Sequence, residues 1–193
     1  SMVGAMDAIE ALHKRVSTPR LGGEAPDATT RDKIFKAALR APDHAQLRPW
    51  RFIQIEGESR DFLGELFAEA KQAAEPNVSA RDLVKARAKP LRAPLIVVVV
   101  AAPEVHPKVP EIEQMLSAGA AAQNMIIASY ALGVGAMWRT GGMAYDPVVK
   151  VGLGLASHER IVGFLYLGEP QGNVRIAPEL EPAEYVTTWP NPD

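Results

Sequence analysis

The sequence EIEQMLSAGAAAQNMIIASYAL, at residues 111–132, is the longest helix that the chain predicts. From Ser117 onward its side chains are apolar or small nearly all round, and a helix that is apolar on every side is buried on every side. In a chain of 193 residues this predicts burial at a subunit interface, where small residues permit close helix packing. The alternative is the central helix of a monomer.

Shorter elements surround this helix, and their hydrophobic periodicity separates helices from strands. The predicted helices are residues 6–16, a segment that Asp27 or Thr29 caps and that ends before Pro42, segments capped by Ser59 and by Ser79, and a short helix opened by Asp146-Pro147. The predicted strands are residues 50–56, 95–100, 134–138 and 161–167. This order predicts an α+β subunit with a three-layer αβα arrangement.

Length and composition predict a single domain over residues 1–193 that folds without disulfides or a structural metal. The chain has no cysteine, which excludes thiolate metal sites, cysteine nucleophiles and CxxC redox motifs. Redox chemistry would therefore need a cofactor. Residues 171–193 are rich in proline and are expected to form an extended tail that lies against another surface. Ser1, which precedes Met2, is interpreted as a cloning scar, and residues 1–5 as a disordered N-terminus.

Charge and hydropathy argue against nucleic-acid and membrane partners. The formal net charge is -2, without the basic excess that a nucleic acid or an anionic membrane attracts. The longest strongly apolar run, residues 95–102, is far shorter than the ~20 residues of a membrane helix. Asp7 and Glu10 interrupt the N-terminal stretch that would otherwise suggest a signal peptide. We therefore expect a soluble, cytoplasmic protein.

Three segments carry polar side chains in patterns that suit a cofactor. The first, residues 15–20, bunches two arginines and two hydroxyl side chains at the end of the first helix. Guanidinium groups match phosphate oxygens in a bidentate manner, which makes this segment a candidate phosphate site. The alternative is a solvated helix end whose cations interact with the helix dipole.

The second segment is RAPDHAQLRPW, residues 40–50, in which two prolines stiffen a turn. Arg40, Asp43 and His44 crowd into this turn and would present polar groups to a heteroaromatic ring. The alternative is a surface loop in which Trp50 anchors the next strand.

The third segment is residues 133–142, GVGAMWRTGG. It is not a GxGxxG phosphate loop, because it follows a helix and enters a strand. Gly133 is better interpreted as a helix C-cap. Thr140-Gly141-Gly142 would allow a planar cofactor to approach the backbone closely, although an ordinary turn is an equal alternative.

The residues suggest neither a hydrolase nor a metal site. No pair among the four histidines has metal-ligand spacing, and Ser117 and Ser129 lack the GxSxG elbow of a nucleophile. Glu111 and Glu113 lie two positions apart and so diverge on a helix, which favours a solvated face.

Taken together, these segments resemble the FMN-dependent nitroreductase family, and within it the small YdjA-type branch of NAD(P)H nitroreductases. The resemblance covers nearly the whole chain, from Met6 to Trp189, and depends on the order and spacing of motifs that are each weak alone. The motifs are Arg15-x-Ser17 with Arg20, residues 40–44 through Pro49-Trp50, residues 106–110, Ser117-Ala118-Gly119, Trp138-Arg139-Thr140 and residues 161–168.

The resemblance implies a three-layer fold with a central mixed or antiparallel sheet, and an intertwined homodimer that binds FMN at the subunit interface. Arg15, Val16 and Ser17 would hold the FMN phosphate or ribityl chain. Arg40 and His44 would reach the flavin site from the opposite subunit.

The resemblance also places Trp138, Arg139 and Thr140 along the flavin ring. A backbone N–H of Thr140 or Gly141 would lie near the flavin N5, and no side chain would act as a catalytic group. The implied activity is transfer of hydride from NAD(P)H through FMN to a nitroaromatic, quinone or similar electron-poor acceptor, with ping-pong kinetics. The alternatives are a flavin-binding protein of the same fold with negligible turnover, and a structural subunit that has lost the flavin.

One position departs from the family pattern. Many members have two consecutive arginines before the serine, whereas this chain has Val16 at the second position. Because a hydrogen bond to a charged group contributes about 1.5–3 kcal/mol, we expect FMN binding to be about tenfold weaker or more. Lys14, Arg20 or Arg139 would have to supply the missing cation.

Overall fold

The computed structural model describes residues 6–192, so the expectations for residues 1–5 lie outside the described residues. The helices are α1 (Ala8–Lys14), α2 (Ala28–Ala38), α3 (Ser59–Ala74), α4 (Ala80–Ala88), α5 (Glu111–Ala131) and α6 (Pro147–Gly152). The strands are β1 (Leu21–Gly22), β2 (Trp50–Glu56), β3 (Leu95–Ala101), β4 (Gly135–Arg139) and β5 (Arg160–Pro170). Short 3-10 turns lie at His44–Gln46, Lys89–Arg92, Gly142–Tyr145 and Pro182–Glu184.

The strands form a sheet in the order β2-β3-β5-β4, and β1 pairs with the last residues of β5. Each of these pairings is antiparallel, so of the two predicted arrangements the described residues adopt the antiparallel one. The predicted α+β class is confirmed. Among the strands, the sequence prediction missed the two-residue β1, which is too short to show a hydrophobic period.

Helices cover both faces of the sheet. Every residue of β3 is fully buried, as its unbroken apolar run predicts for a central strand. Val97 and Val99 pack in one cluster with α2 and α5, whereas Ile96 and Val98 pack in a second cluster with α3, α4 and α6. The alternation of side chains along β3 therefore divides the core into the two halves of a three-layer fold.

Most helix starts follow the predicted capping residues. The side chain of Asp27 accepts a hydrogen bond from the Thr30 N–H at 2.8 Å, so Asp27 rather than Thr29 caps α2. Ser79 caps α4, and Asp146 caps α6 with Pro147 as its first residue.

Two predicted helix starts are wrong. The first helix begins at Ala8 rather than residue 6, because the Asp7 carboxylate accepts a hydrogen bond from the Ile9 N–H and acts as the cap. Ser59 is the first residue of α3 and not its cap, since the helical backbone already begins at Glu58.

Within the single chain, one side of α5 is buried and the other is partly exposed, so burial of the remaining side by a second subunit stays a prediction. The side that carries Ala118, Ala121 and Met125 is fully buried against α2 and the sheet. The other side exposes Ile112 and Leu116, which are 62% and 65% exposed. Their spacing of four residues makes them neighbours on one apolar stripe of the helix.

The tail from residue 171 to residue 192 is mostly exposed, which leaves apolar side chains such as Ile176, Tyr185 and Trp189 uncovered by the chain's own core. Its first residue is attached, because the Gln171 N–H donates to the Arg20 carbonyl at 2.9 Å. Within residues 6–192, no helix combines the length and hydropathy that crossing a membrane requires.

A partly buried ion pair ties β2 to the start of β5. Arg51 donates from Nε and Nη2 to the Glu159 carboxylate at 2.6 and 2.9 Å, and the Ala156 N–H donates to the same carboxylate. These donors, Arg51 foremost, lower the pKa of Glu159 from its ordinary 4.5 to about 2. The Glu159 side chain is only 8% exposed, whereas that of Arg51 is 42% exposed, so water screens the pair from the arginine side.

We expect Glu159→Gln to lower the free energy of unfolding by up to about 3 kcal/mol near pH 6. Because the folded pKa is depressed, the stabilisation is complete above about pH 4.5 and disappears as the pH falls through 2. Urea unfolding of both proteins between pH 6 and 2 would measure this. A difference between them that stays constant over the whole range would contradict the assigned ion pair.

Candidate functional site

A cavity of about 360 Å³ lies between the segment after α1, the start of β4 and the first part of the tail. It is lined by residues 16–20, by Ile126 and Tyr130 of α5, by residues 133–136, and by Pro170, Gln171, Asn173, Val174 and Arg175. The Thr18 N–H donates to the Ala136 carbonyl at 2.9 Å, which holds the segment after α1 against β4. The volume falls within the range of small-molecule and cofactor sites.

The cavity has a polar, cationic side. Ser17, Arg20 and Arg175 line it, and neither guanidinium makes a hydrogen bond or ion pair with any other described residue. Val16 also lines it, whereas Arg15 lies next to the lining and its guanidinium likewise has no partner among residues 6–192. Free guanidinium groups beside a hydroxyl suit an anionic ligand such as a phosphate.

The structure distinguishes the three cations that could compensate for Val16. Lys14 donates to Glu10 at 2.8 Å one turn earlier in α1 and does not line the cavity. Arg139 donates to the Pro19 carbonyl, with a separation of 3.5 Å. Arg20 lines the cavity directly.

Arg175 is a residue that the sequence interpretation missed. It lies in an exposed, proline-rich tail, where no periodicity or motif distinguishes it from a solvated arginine. The bond from the Gln171 N–H to the Arg20 carbonyl holds the start of the tail, shortly before Arg175, beside the segment after α1.

Trp138 and Arg139 are neighbours in β4, so their side chains point to opposite faces of the sheet. The indole of Trp138 covers Gly163, where an added Cβ would lie 2.2 Å from Nε1. Arg139 instead lies over the ring of Tyr166, with 5.5 Å between its Cζ and the ring centroid. The sequence interpretation did not anticipate the partners Gly163 and Tyr166.

The Nε of Arg139 is buried and has no hydrogen-bond partner among the described residues. Leaving a buried donor unpaired costs about 1–3 kcal/mol of folding free energy. The Arg139 Nε–H is therefore a candidate to donate a hydrogen bond to a ligand. Burial also raises the pKa of Tyr166 beneath the guanidinium, which keeps the phenol neutral.

The turn after β4 leaves its backbone accessible. Gly141 has φ 57° and ψ −164°, a conformation that is open essentially to glycine alone. A Cβ added at Gly141 or at Gly142 would meet no atom within 4 Å. The space beside this turn is therefore free for a ligand to approach the backbone of Thr140 and Gly141.

The loop at residues 43–48 has a strained backbone that hydrogen bonds hold in place. Ala45, Gln46 and Arg48 have φ of 62°, 53° and 52°, which non-glycine residues rarely adopt. The Asp43 carboxylate, 4% exposed, accepts hydrogen bonds from the N–H groups of Leu47 and Arg48 and from the Arg48 side chain. Asp43 thus holds a conformation that would otherwise cost about 1–3 kcal/mol at each such residue.

Two contacts attach this loop to α5. Ser117 Oγ donates to the Pro42 carbonyl at 2.7 Å and accepts from the Trp50 Nε1–H at 3.1 Å. His44 Nδ1 lies 3.0 Å from Oε1 of Glu113. Arg40 and His44 do not line the cavity of their own chain, so a single chain does not bring all the predicted site residues together.

Comparisons with known proteins identify the family of the chain. The family model described as the Nitroreductase family matches residues 12–169. The Escherichia coli (strain K12) protein named Putative NAD(P)H nitroreductase YdjA is 45% identical over 166 residues, which cover 86% of this chain and 90% of that protein.

Two solved structures share the fold. The nitroreductase-like family protein from Bacillus cereus has a TM-score of 0.81 at 21% identity, with 99% of this chain and 100% of that chain covered. A structure from Desulfovibrio desulfuricans, described as a putative nitroreductase in complex with FMN, has a TM-score of 0.72 at 23% identity and covers 98% of this chain and 100% of that chain.

We expect Gly163→Ala to displace the Trp138 indole, because the added methyl group would overlap it. Such overpacking costs about 1–3 kcal/mol of the free energy of unfolding. Thermal unfolding and tryptophan fluorescence of the ligand-free protein would measure the loss and the change in the indole environment. In a Trp138→Ala background the same alanine should be nearly neutral, and an equal loss there would show that Trp138 does not cover Gly163.

Proposed function

Because the chain belongs to the nitroreductase family, we propose that it is an FMN-dependent oxidoreductase that uses NAD(P)H to reduce a nitroaromatic, a quinone or a similar electron-poor small molecule. The observation that carries the proposal is the cationic cavity lined by Ser17, Arg20 and Arg175. Bound FMN would supply the hydride-accepting and hydride-donating chemistry, which amino-acid side chains do not provide.

The residues of the cavity fit the polar end of FMN. The Ser17 hydroxyl and the free guanidinium groups of Arg20 and Arg175 would bind the phosphate, with Arg15 beside them. Charge-assisted hydrogen bonds of this kind are about twice as strong as neutral ones. Two cations in the lining also compensate for Val16.

Residues at the end of β4 fit a flat ring with acceptor atoms. The buried Nε of Arg139 lacks an acceptor among the described residues, and the turn at Gly141 leaves backbone N–H groups open to a ligand. Fixed donors and a positive charge stabilise negative charge that develops during reduction, without any reorganisation of water. These groups would position and polarise the ligand, and no nucleophilic side chain is required.

We propose that the active form is a homodimer in which α5 is the main contact. The exposed side chains of Ile112 and Leu116 lie on one apolar stripe of this helix, and the tail exposes further apolar side chains. The family resemblance implies that Arg40 and His44 reach the flavin site of the second copy, which fits their absence from the cavity of their own chain.

Light scattering should therefore give about twice the 20.8 kDa mass of one chain. Leu116→Arg should shift the protein toward the monomer, because it places a charge in the middle of an apolar contact. Phe62→Arg is the matched control, since Phe62 is 71% exposed on α3, on the other side of the sheet. A monomeric wild type, or equal effects of the two variants, would contradict this interface.

The function itself is tested by the visible absorption of the purified protein before and after anaerobic NADH or NADPH. We expect a flavin spectrum that bleaches on addition and recovers when a quinone or nitroaromatic acceptor is added. Parallel double-reciprocal plots would support the ping-pong order. A flavin spectrum that does not bleach would instead indicate a flavin-binding protein without turnover, and no flavin after incubation with FMN would refute the proposal.

The same spectrum tests the phosphate site through matched variants. Arg175→Ala and Arg20→Ala should each weaken FMN binding by about tenfold, since each removes a charged hydrogen-bond donor. Lys71→Ala serves as the control, because Lys71 pairs with Glu75 on α3 at 2.7 Å and does not line the cavity. Equal FMN affinity in all three variants would remove both arginines from the site.

A further inference from the structure

His44 and Glu113 form a contact that joins the loop at residues 43–48 to the first turn of α5. His44 Nδ1 and Glu113 Oε1 are 3.0 Å apart, although 69 residues separate them in the sequence. An ionised carboxylate can only accept hydrogen bonds, so the proton of this bond must reside on Nδ1. In the neutral imidazole, Nε2 then carries the free lone pair.

The backbone around His44 is already fixed, but its ring is not. Asp43 and Ser117 hold the flanking backbone of the loop through the bonds described above. The His44 side chain is 54% exposed, and Glu113 supplies the one bond to its imidazole within residues 6–192. Without that bond, the ring would be free to rotate about its side-chain torsions and to change its tautomer.

We propose that Glu113 is a positioning residue for His44. It holds the Nδ1–H tautomer and the ring orientation, so that Nε2 presents a hydrogen-bond acceptor to the bound cofactor. This rests on the proposed function, in which His44 reaches the FMN site of the second subunit. The group recognised by Nε2 is a donor, such as the ring N–H of a flavin or a ribityl hydroxyl, and not a carbonyl oxygen.

The neighbouring Glu111 provides a matched control. It lies in the same first turn of α5, and its carboxylate accepts from Arg160 Nε at 3.1 Å. Glu111 is 54% exposed and Glu113 is 41% exposed, so both are surface carboxylates that each hold one partner. Since they lie two positions apart on the helix, they point in different directions and serve different partners.

The first experiment determines the tautomer by NMR of the full chain labelled with ¹⁵N-histidine. The chain has four histidines, so a His44→Gln variant assigns the relevant signals. At pH about 8.5, above the usual range of imidazole titration, we expect a protonated Nδ1 and an unprotonated Nε2 for His44. Glu113→Ala should convert His44 to the Nε2–H form, while Glu111→Ala should leave it unchanged. An Nε2–H tautomer in the wild type would overturn the proposal.

The second experiment measures FMN affinity by flavin fluorescence quenching. Glu113→Ala should weaken binding by about three- to tenfold, the size of one net hydrogen bond. Glu113→Gln should retain most of the affinity, because its amide oxygen still accepts from Nδ1–H. In a His44→Ala background, Glu113→Ala should have no further effect.

These outcomes separate failure of this inference from failure of the proposed function. Wild-type FMN binding that Glu113→Ala leaves intact, or an effect that persists without His44, would overturn the role of Glu113 alone. A wild type that binds no FMN would overturn the proposed function, and the tautomer measurement would still decide whether Glu113 sets the state of His44.

Discussion

The complete burial of β3 is the constraint on which the rest of the structure depends. A strand with no exposed residue must be covered on both faces and paired along both edges. Helices α2 and α5 cover one face, and α3, α4 and α6 cover the other. Strands β2 and β5 pair with the two edges of β3, so the middle of the sheet has no room for polar groups. A ligand-binding site can therefore form only at the margin of the sheet.

That margin is where the candidate site lies. Strand β4 pairs with β5, and the segment after α1 continues beside it through the bond from Thr18 to Ala136. The tail leaves β5 at the same end and is tied back to Arg20. Segments that are distant in sequence therefore converge on one cavity, where Ser17, Arg20 and Arg175 line the wall together with apolar side chains from α5 and β4.

Local patterns were sufficient to predict much of the fold, because they depend on near neighbours. Strand β2 occupies the predicted residues 50–56, and Asp27 and Ser79 cap the predicted helices. The contacts that shape the site are long-range. Arg139 forms a hydrogen bond with Pro19, 120 residues away in the sequence, and His44 forms one with Glu113, 69 residues away. A single sequence carries no periodic signal for either contact.

The position of Val16, where many family members have an arginine, shows how long-range placement selects the cations that line the cavity. Of the three candidate substitutes, Lys14 is the nearest to this position in the sequence, yet in the structure it is paired with Glu10 and lies outside the cavity. Arg20 and Arg175 both line the cavity, and the bond from the Gln171 N–H to the Arg20 carbonyl ties the start of the tail to the segment after α1. In the proposed function the tail therefore supplies charge to the site, and a chain shortened before Arg175 would lose one of the two arginines that line the cavity.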